Sequence, residues 1–213
     1  LPILKGILGL LRQRSNADHP GEEQLDSVMF TTAFADQGVD PSLLVPWEAR
    51  AIEVGAKKLN AERATKMLQT LWAKDKYMSH LDDHAIHSLQ MFFEFALVPA
   101  GRDVIRQDEY GNFMVVLLNG NIAVDRLQPW GERMRLAETR PGDILGEMSL
   151  LDSGIRFSAC TTITDCEVAI LSTEAMDQMM TADPSLAARL IAVLARKLSL
   201  RLRVVSARLS DRK

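Results

Sequence analysis

The chain has 213 residues, 47% of them apolar and 25% charged. That length suits one ordinary domain plus an accessory segment, and the composition excludes a collagenous, low-complexity or wholly disordered chain. A formal net charge of −3 is too mild for a chain built throughout to hold nucleic acid. Eight of the 25 basic groups but only one of the 28 acidic groups fall in residues 189–213, so the basic character is confined to the end of the chain. Two cysteines, Cys160 and Cys166, rule out a disulfide scaffold and a four-cysteine zinc site. A reduced, cytoplasmic setting is expected. No apolar run reaches the ~18 residues that a membrane span requires.

The chain opens with Leu1-Pro-Ile-Leu-Lys-Gly-Ile-Leu-Gly-Leu-Leu11, apolar but interrupted by Lys5 and two glycines and without a signal-type cleavage pattern. It reads as a packing or partner-binding segment, with a surface membrane anchor as the alternative. The first residue is Leu rather than Met, which leaves room for residues upstream. Residues 12–24 are polar, with Pro20-Gly21, and read as a linker. A short helix is expected within residues 25–36. Ile52, Leu59, Met67, Leu68, Leu71 and Trp72 recur at helical spacing and predict one or two helices covering the next domain. Asp82 is a suitable N-cap for a helix of about three turns carrying Ile86, Leu89 and Phe93. The domain boundary is accordingly drawn between a helical segment with its linker, residues 1–77, and the remainder, residues 78–213.

Beyond Phe92 the pattern changes. Gly101, Gly111, Gly120, Gly131 and Gly142 each sit in a turn-like cluster, separated by short apolar or alternating runs. Evenly spaced short strands with glycine turns predict an antiparallel sandwich or barrel. Phe113-Met-Val-Val-Leu-Leu118 reads as a buried strand, and Arg133-Met-Arg-Leu136 as one alternating outward and inward. Residues 158–163 and 168–171 complete the set. Thr173 is expected to cap a short helix, and Asp183-Pro184 to open a long amphipathic one of ~25 residues, since proline suits the first helical position. The apolar stripe of that helix outruns a small barrel, so a homodimer through residues 185–209 is expected.

The chemistry lies in Gly142-Asp-Ile-Leu-Gly-Glu-Met-Ser-Leu-Leu-Asp-Ser-Gly-Ile-Arg-Phe-Ser-Ala159. Gly146 lets backbone approach a ligand, and residues 147–151 can make a helical turn whose amides form an anion nest. Glu147 is an acceptor for sugar hydroxyls, Arg156 a planar fork for a phosphate diester, and Ser158 a hydroxyl. This segment resembles the phosphate-binding cassette of cyclic nucleotide-binding domains, the family that includes bacterial catabolite activators, kinase regulatory subunits and nucleotide-gated channels. The resemblance spans residues 78–210 and includes Val98-Pro-Ala-Gly101, Leu118-Asn-Gly120, Arg140-Pro-Gly-Asp143 and Gly146-Glu147. It implies an α+β fold, an antiparallel β jelly roll with N-terminal helices and a long C-terminal helix. It further implies that Glu147 binds the ribose 2′-hydroxyl and that Gly146 with the amides of Met148 and Ser149 lines the sugar–phosphate. Arg156, assisted by Ser158, would pair with the cyclic phosphate, and the last helix would close over the base.

Two positions depart from the family pattern. Relatives place the arginine directly before a small pair, whereas here Phe157 stands between Arg156 and Ser158-Ala159. Either Phe157 occupies the arginine's place and Arg156 faces the other way, since a one-residue slip reverses the face of an extended segment, or Phe157 is a bulge and Arg156 still reaches the phosphate. Arg201 and Leu202 fall where activators use small hydroxyl residues to meet adenine.

Other candidates carry less. His80, His84 and His87 have i, i+4, i+7 spacing, but His80 precedes the Asp82 cap, so solvated histidines are expected rather than a metal site. The strands carry no histidine, which speaks against a metal-dependent enzyme of this fold. The cysteines are expected as buried strand residues, and Met176, Met179 and Met180 as core filling. The basic last helix is interleaved with leucines and no second helical domain follows it in the sequence, so no sequence-specific DNA binding is expected. The sequence therefore predicts a non-catalytic sensor for a cyclic purine nucleotide, cAMP before cGMP, with no metal or cofactor. The alternative is a degenerate jelly roll that binds a protein partner and no nucleotide.

Overall fold

A computed structural model describes residues 29–210. The expected leading segment and linker therefore lie outside the described residues, as do Arg212 and Lys213. Helix α1 is Met29–Asp36, α2 is Trp47–Val54, α3 is Ala61–Trp72 and α4 is Asp83–Leu89. Strands β1 (Lys57–Lys58), β2 (Glu94–Val98), β3 (Asp103–Ile105), β4 (Phe113–Asn119), β5 (Ile122–Leu127), β6 (Arg133–Glu138) and β7 (Ile144–Leu145) lead to the short helix α5 (Glu147–Asp152). Strands β8 (Ala159–Thr162) and β9 (Cys166–Ser172), then helices α6 (Thr173–Ala182) and α7 (Pro184–Ser210), complete the order.

The strands form two antiparallel sheets, β1-β2-β9-β4-β7 and β3-β8-β5-β6, the sandwich expected from the glycine-punctuated runs and the jelly roll implied by the resemblance. Strand β4 shows why its sequence is continuously apolar. Successive side chains point to opposite faces. Phe113, Val115 and Leu117 face the interior between the sheets, whereas Met114, Val116 and Leu118 face the helices. Both faces are buried, so no polar alternation survives. Strand β9 divides in the same way, with Val168 and Ile170 inside and Ala169 and Leu171 beneath the helices.

The helical cluster joins Phe30 of α1, Leu68 and Trp72 of α3, Ile86 and Leu89 of α4, Met176 and Met179 of α6, and Leu186, Leu190 and Leu194 of α7. Helices on both sides of the expected 77/78 boundary thus share one hydrophobic cluster with the sheet. Polar ties reinforce it. The buried carboxylate of Asp177 accepts hydrogen bonds from the backbone N–H of Phe30 (2.9 Å) and Thr31 (2.8 Å) and from the Thr31 hydroxyl (2.5 Å), satisfying orphan donors at the start of α1.

Several local expectations change. Asp82 does cap α4, accepting from the Ala85 N–H at 2.8 Å, but α4 has 7 residues and two turns, not three. Ser172, not Thr173, caps α6, accepting from the Ala175 N–H. Thr173 instead begins the helix, and its own N–H donates to the Asn112 carbonyl. Ile52 faces solvent, because α2 buries Trp47, Arg50 and Val54 instead. Strand β6 does not alternate; all six residues are exposed, for it is the edge of its sheet. The three histidines are exposed, and no group of His, Cys, Asp and Glu suited to a metal occurs among the described residues. Both cysteines are buried strand residues, as expected. No helix among the described residues is long and apolar enough to cross a membrane.

Candidate ligand-binding site

A cavity of about 890 Å³ lies between the β-sandwich, α5 and the outer half of α7. Its size is within the ordinary range of small-molecule sites. All seven residues singled out in the sequence line it: Gly146, Glu147, Met148, Ser149, Arg156, Ser158 and Arg201. The structure adds Ile105, Val124, Leu136 and Phe157 from the barrel, and Leu200, Val204 and Val205 from α7. The helix residues were legible in principle, since Arg201 and its i+3 and i+4 neighbours share a helical face. The exposed inner residues of β6 are likewise explained, because Leu136 and Glu138 look onto the cavity and not onto packed protein.

Gly146 joins β7 to α5 with φ +73°, the left-handed region that glycine enters without penalty. Glu147, first in α5, is 4% exposed, and its carboxylate accepts a hydrogen bond from Arg201, with which it forms an ion pair. The Arg201 guanidinium also donates to the Ile144 carbonyl at 3.2 Å. Thus Arg201, which falls where activators meet the base, is the tie between the cassette and α7, with its side chain still 53% exposed. Farther up the helix, Lys197 pairs with Asp75 at 2.6 Å and Arg189 with Asp82 at 3.1 Å.

Arg156 is placed differently. It is 3% exposed, while Phe157 beside it is 54% exposed and faces the cavity. Of the two registers left open by the sequence, the structure shows the one in which Phe157 points into the site and Arg156 points into the barrel. The Arg156 guanidinium donates to the Gly146 carbonyl at 2.8 Å and to the Phe113 carbonyl at 2.5 Å. It also lies over the Phe113 ring, 4.8 Å from its centre. Two glycines make room for it. A Cβ on Gly111 would stand 2.7 Å from its Nη2, and one on Gly146 would stand 2.5 Å from its Nη1. Its backbone is fixed as well, the N–H donating to Glu109 and the carbonyl accepting from Asp108. Burial lowers its ionisation to about 10, so it stays charged at neutral pH. Buried and bonded to two carbonyls, it lines the cavity as part of its framework.

Cys160 also lines the floor, and burial raises its thiol to about 12. On the outer side of Phe157, Arg126 stacks on the ring with its guanidinium 4.1 Å from the centroid and donates to the Phe157 carbonyl. A pair that sequence reasoning missed, the buried Arg50 with the half-buried Glu109, ties α2 to the turn that carries Glu109 and hence to the Arg156 backbone.

The glycine-turned cassette, an acidic residue at its helix start and a long helix over the opening together enclose a cavity of the size that takes a small molecule. Residues 96–183 match the cyclic nucleotide-binding domain family. The CRP-like cAMP-activated global transcriptional regulator of Mycobacterium tuberculosis is 31% identical over 100 residues, covering 47% of this chain and 45% of that protein. The cyclic AMP receptor protein of Thermus thermophilus is 32% identical over 107 residues, 50% of each. The chain thus spans about half the length of the curated relatives it matches. Among solved structures, a cyclic nucleotide-binding domain from Methylobacillus flagellatus shares the fold with a TM-score of 0.67 at 21% identity, covering 74% of this chain and 89% of that one.

Proposed function

We propose that this chain is a non-catalytic sensor module whose pocket takes a ribose-bearing purine ligand and reports its presence through α7. The observation that carries this reading is the Glu147–Arg201 pair, which joins the sugar-binding position of the cassette directly to the helix. Arg201 engages one carboxylate oxygen, Oε1, and a carboxylate has about four lone-pair sites in all, so Glu147 can also accept a ligand hydroxyl. Leu200, Val204 and Val205 complete the cavity wall only when α7 lies across the opening. A ligand that touches them has differential affinity for that helix position, which is the condition for shifting a conformational equilibrium. The names of the relatives above make cAMP the reference ligand for the test.

The output surface we assign to the end of α7. Its first half is spent internally, because Leu186, Leu190, Val193 and Leu194 are buried in the chain's own core. The apolar surface open to a second copy therefore lies on the face of the outer turns away from the cavity, at Leu202 and Leu209. This narrows the homodimer expected over residues 185–209 to the outer turns.

Calorimetry on purified, ligand-stripped protein, paired with hydrogen exchange, tests the sensor reading. Saturable binding of a purine nucleoside or cyclic nucleotide with slower exchange in residues 196–207 is the expected result. Absence of saturable binding at millimolar ligand would reject it in favour of a jelly roll that acts only through protein contacts.

A further inference from the structure

We propose that residues 29–58, which precede the family-matched part of the chain, form a strap that clamps the ligand cassette at both ends. The strap makes the N-terminal side of the domain a second control point on the pocket, beside α7. This rests on the sensor reading, since the pocket it controls is that ligand site. None of these residues lines the cavity, so their influence on a ligand passes through residues that do.

The first hold is on the cassette helix. Helix α1 packs against both α5 and α6. Its Phe30 and Phe34 are buried, and its start hangs on the Asp177 carboxylate of α6. Just past its end, the Gln37 amide donates to the carbonyl of Asp152, the last residue of α5, at 2.6 Å.

The second hold is on the segment that carries Arg156. The Val45 N–H donates to the Tyr110 carbonyl at 2.9 Å and brings the chain alongside the β3–β4 turn. In α2, Trp47 meets the Phe113 ring edge-on, with centroids 5.5 Å apart, and the Arg156 guanidinium lies over that same ring. Arg50, 2% exposed, donates to Glu53 and Glu109, and Arg106 pairs with the same two carboxylates. The turn so fixed carries Arg156: the Glu109 carbonyl accepts from the Arg156 N–H at 2.8 Å, and the Asp108 N–H donates to the Arg156 carbonyl at 2.9 Å. Asp108 has φ +64°, a conformation that its surroundings must hold.

One continuous segment thus grips α5 and the Arg156 strand, and β1 fastens its far end to the sheet edge, with Lys58 opposite Ala96. Trp47 and Arg50 are positioning residues that act through Phe113 and Glu109. A ligand that fixes the cassette must steady the strap, and displacing the strap must weaken the ligand by the same factor, because coupling between two sites is reciprocal.

The test is amide hydrogen exchange on the full chain, without ligand and with cAMP, for wild type, Arg50→Met and Asp177→Asn. Arg50→Met keeps an extended side chain and leaves Glu53 and Glu109 paired with Arg106. Without ligand, each variant should speed exchange in residues 147–157 about tenfold more than in β5, which is paired on both sides. Gln37→Ala, at an exposed residue, should act in the same direction to a smaller extent and serves if a buried change prevents folding. With cAMP, wild type should show slower exchange in residues 30–37 and 47–54, and the variants should bind about tenfold more weakly. Equal acceleration in β5 and the cassette, or none in the cassette, makes the strap ordinary packing and overturns the inference. So does cAMP binding that leaves exchange in the strap unchanged. Wild type that binds no cAMP at millimolar ligand defeats the sensor reading for that ligand, and the ligand-free exchange ratio then decides the clamp.

Discussion

The cavity has two arginines, and they are held by opposite kinds of contact. Arg156 at the floor is buried, sandwiched between two glycines and bonded to backbone carbonyls that have fixed positions. Arg201 at the roof is half-exposed and bonded to a carboxylate across a gap between two elements. The floor arginine is part of the framework. The roof arginine is attached to something that can move away. A guanidinium near a binding site is therefore read from its partners and burial: Arg156, buried with backbone carbonyls alone as partners, marks structure, and Arg201, half-exposed and paired with a carboxylate on another element beside one carbonyl, marks a coupling.

That contrast breaks most decisively at the floor. Arg156→Ala should destabilise the fold by about 3 kcal/mol, because it leaves two carbonyls unpaired and opens a buried void. Urea denaturation would show it, and a loss under about 1 kcal/mol would mean that the floor arginine is not structural. Gly146→Ala tests the same space from the other side. The new methyl would meet Arg156 and Ile105 in a left-handed backbone, at a cost of roughly 2 kcal/mol by the same measurement.

The helix anchors sharpen the comparison on a smaller scale. Burial pushes the Asp75 carboxyl up, but the Lys197 ammonium and the N–H groups of Met78 and Tyr77 outweigh it and hold the group below its ordinary 3.8. A carboxyl lowered in the folded state contributes stability that is fully present above the unfolded value and lost as pH falls through the folded one. Acid titration should therefore leave this anchor intact down to about pH 4 and weaken it below. Asp75→Asn should remove about 1 kcal/mol at pH 7 and flatten the acid limb of the stability curve.

At the roof the expected stability change is the smallest. Arg201→Ala, made together with Glu147→Gln so that no buried carboxylate is left without its cation, should cost well under 1 kcal/mol, since the arginine end of the pair is half in water. Its effect should instead appear as faster hydrogen exchange in residues 199–207, with global stability nearly unchanged. If stability falls as far as in Arg156→Ala, the two arginines do the same work and the distinction fails.

Much of this molecule was legible without coordinates. Glycine-punctuated short runs announced a sandwich or barrel and Asp183-Pro184 the long helix, because these depend on local backbone geometry or on period; the jelly roll and the cassette at Gly146-Glu147 came from the family resemblance. All seven chosen site residues came together around one cavity for the same reason: six of them lie within 13 consecutive positions of one chain segment. Local reasoning failed where a partner distant in sequence decided the outcome. The face of Arg156 was settled by carbonyls at positions 113 and 146 and by space left at Gly111. The exposure of β6 was settled by its place at a sheet edge facing a cavity. The role of Arg201 was settled by a carboxylate 54 residues earlier in the chain. Sequence fixes period, turns and caps, since these are set by near neighbours. Which way a side chain turns, and whether its charge is free or spent, is set by packing across the fold, and only the tertiary structure supplies that.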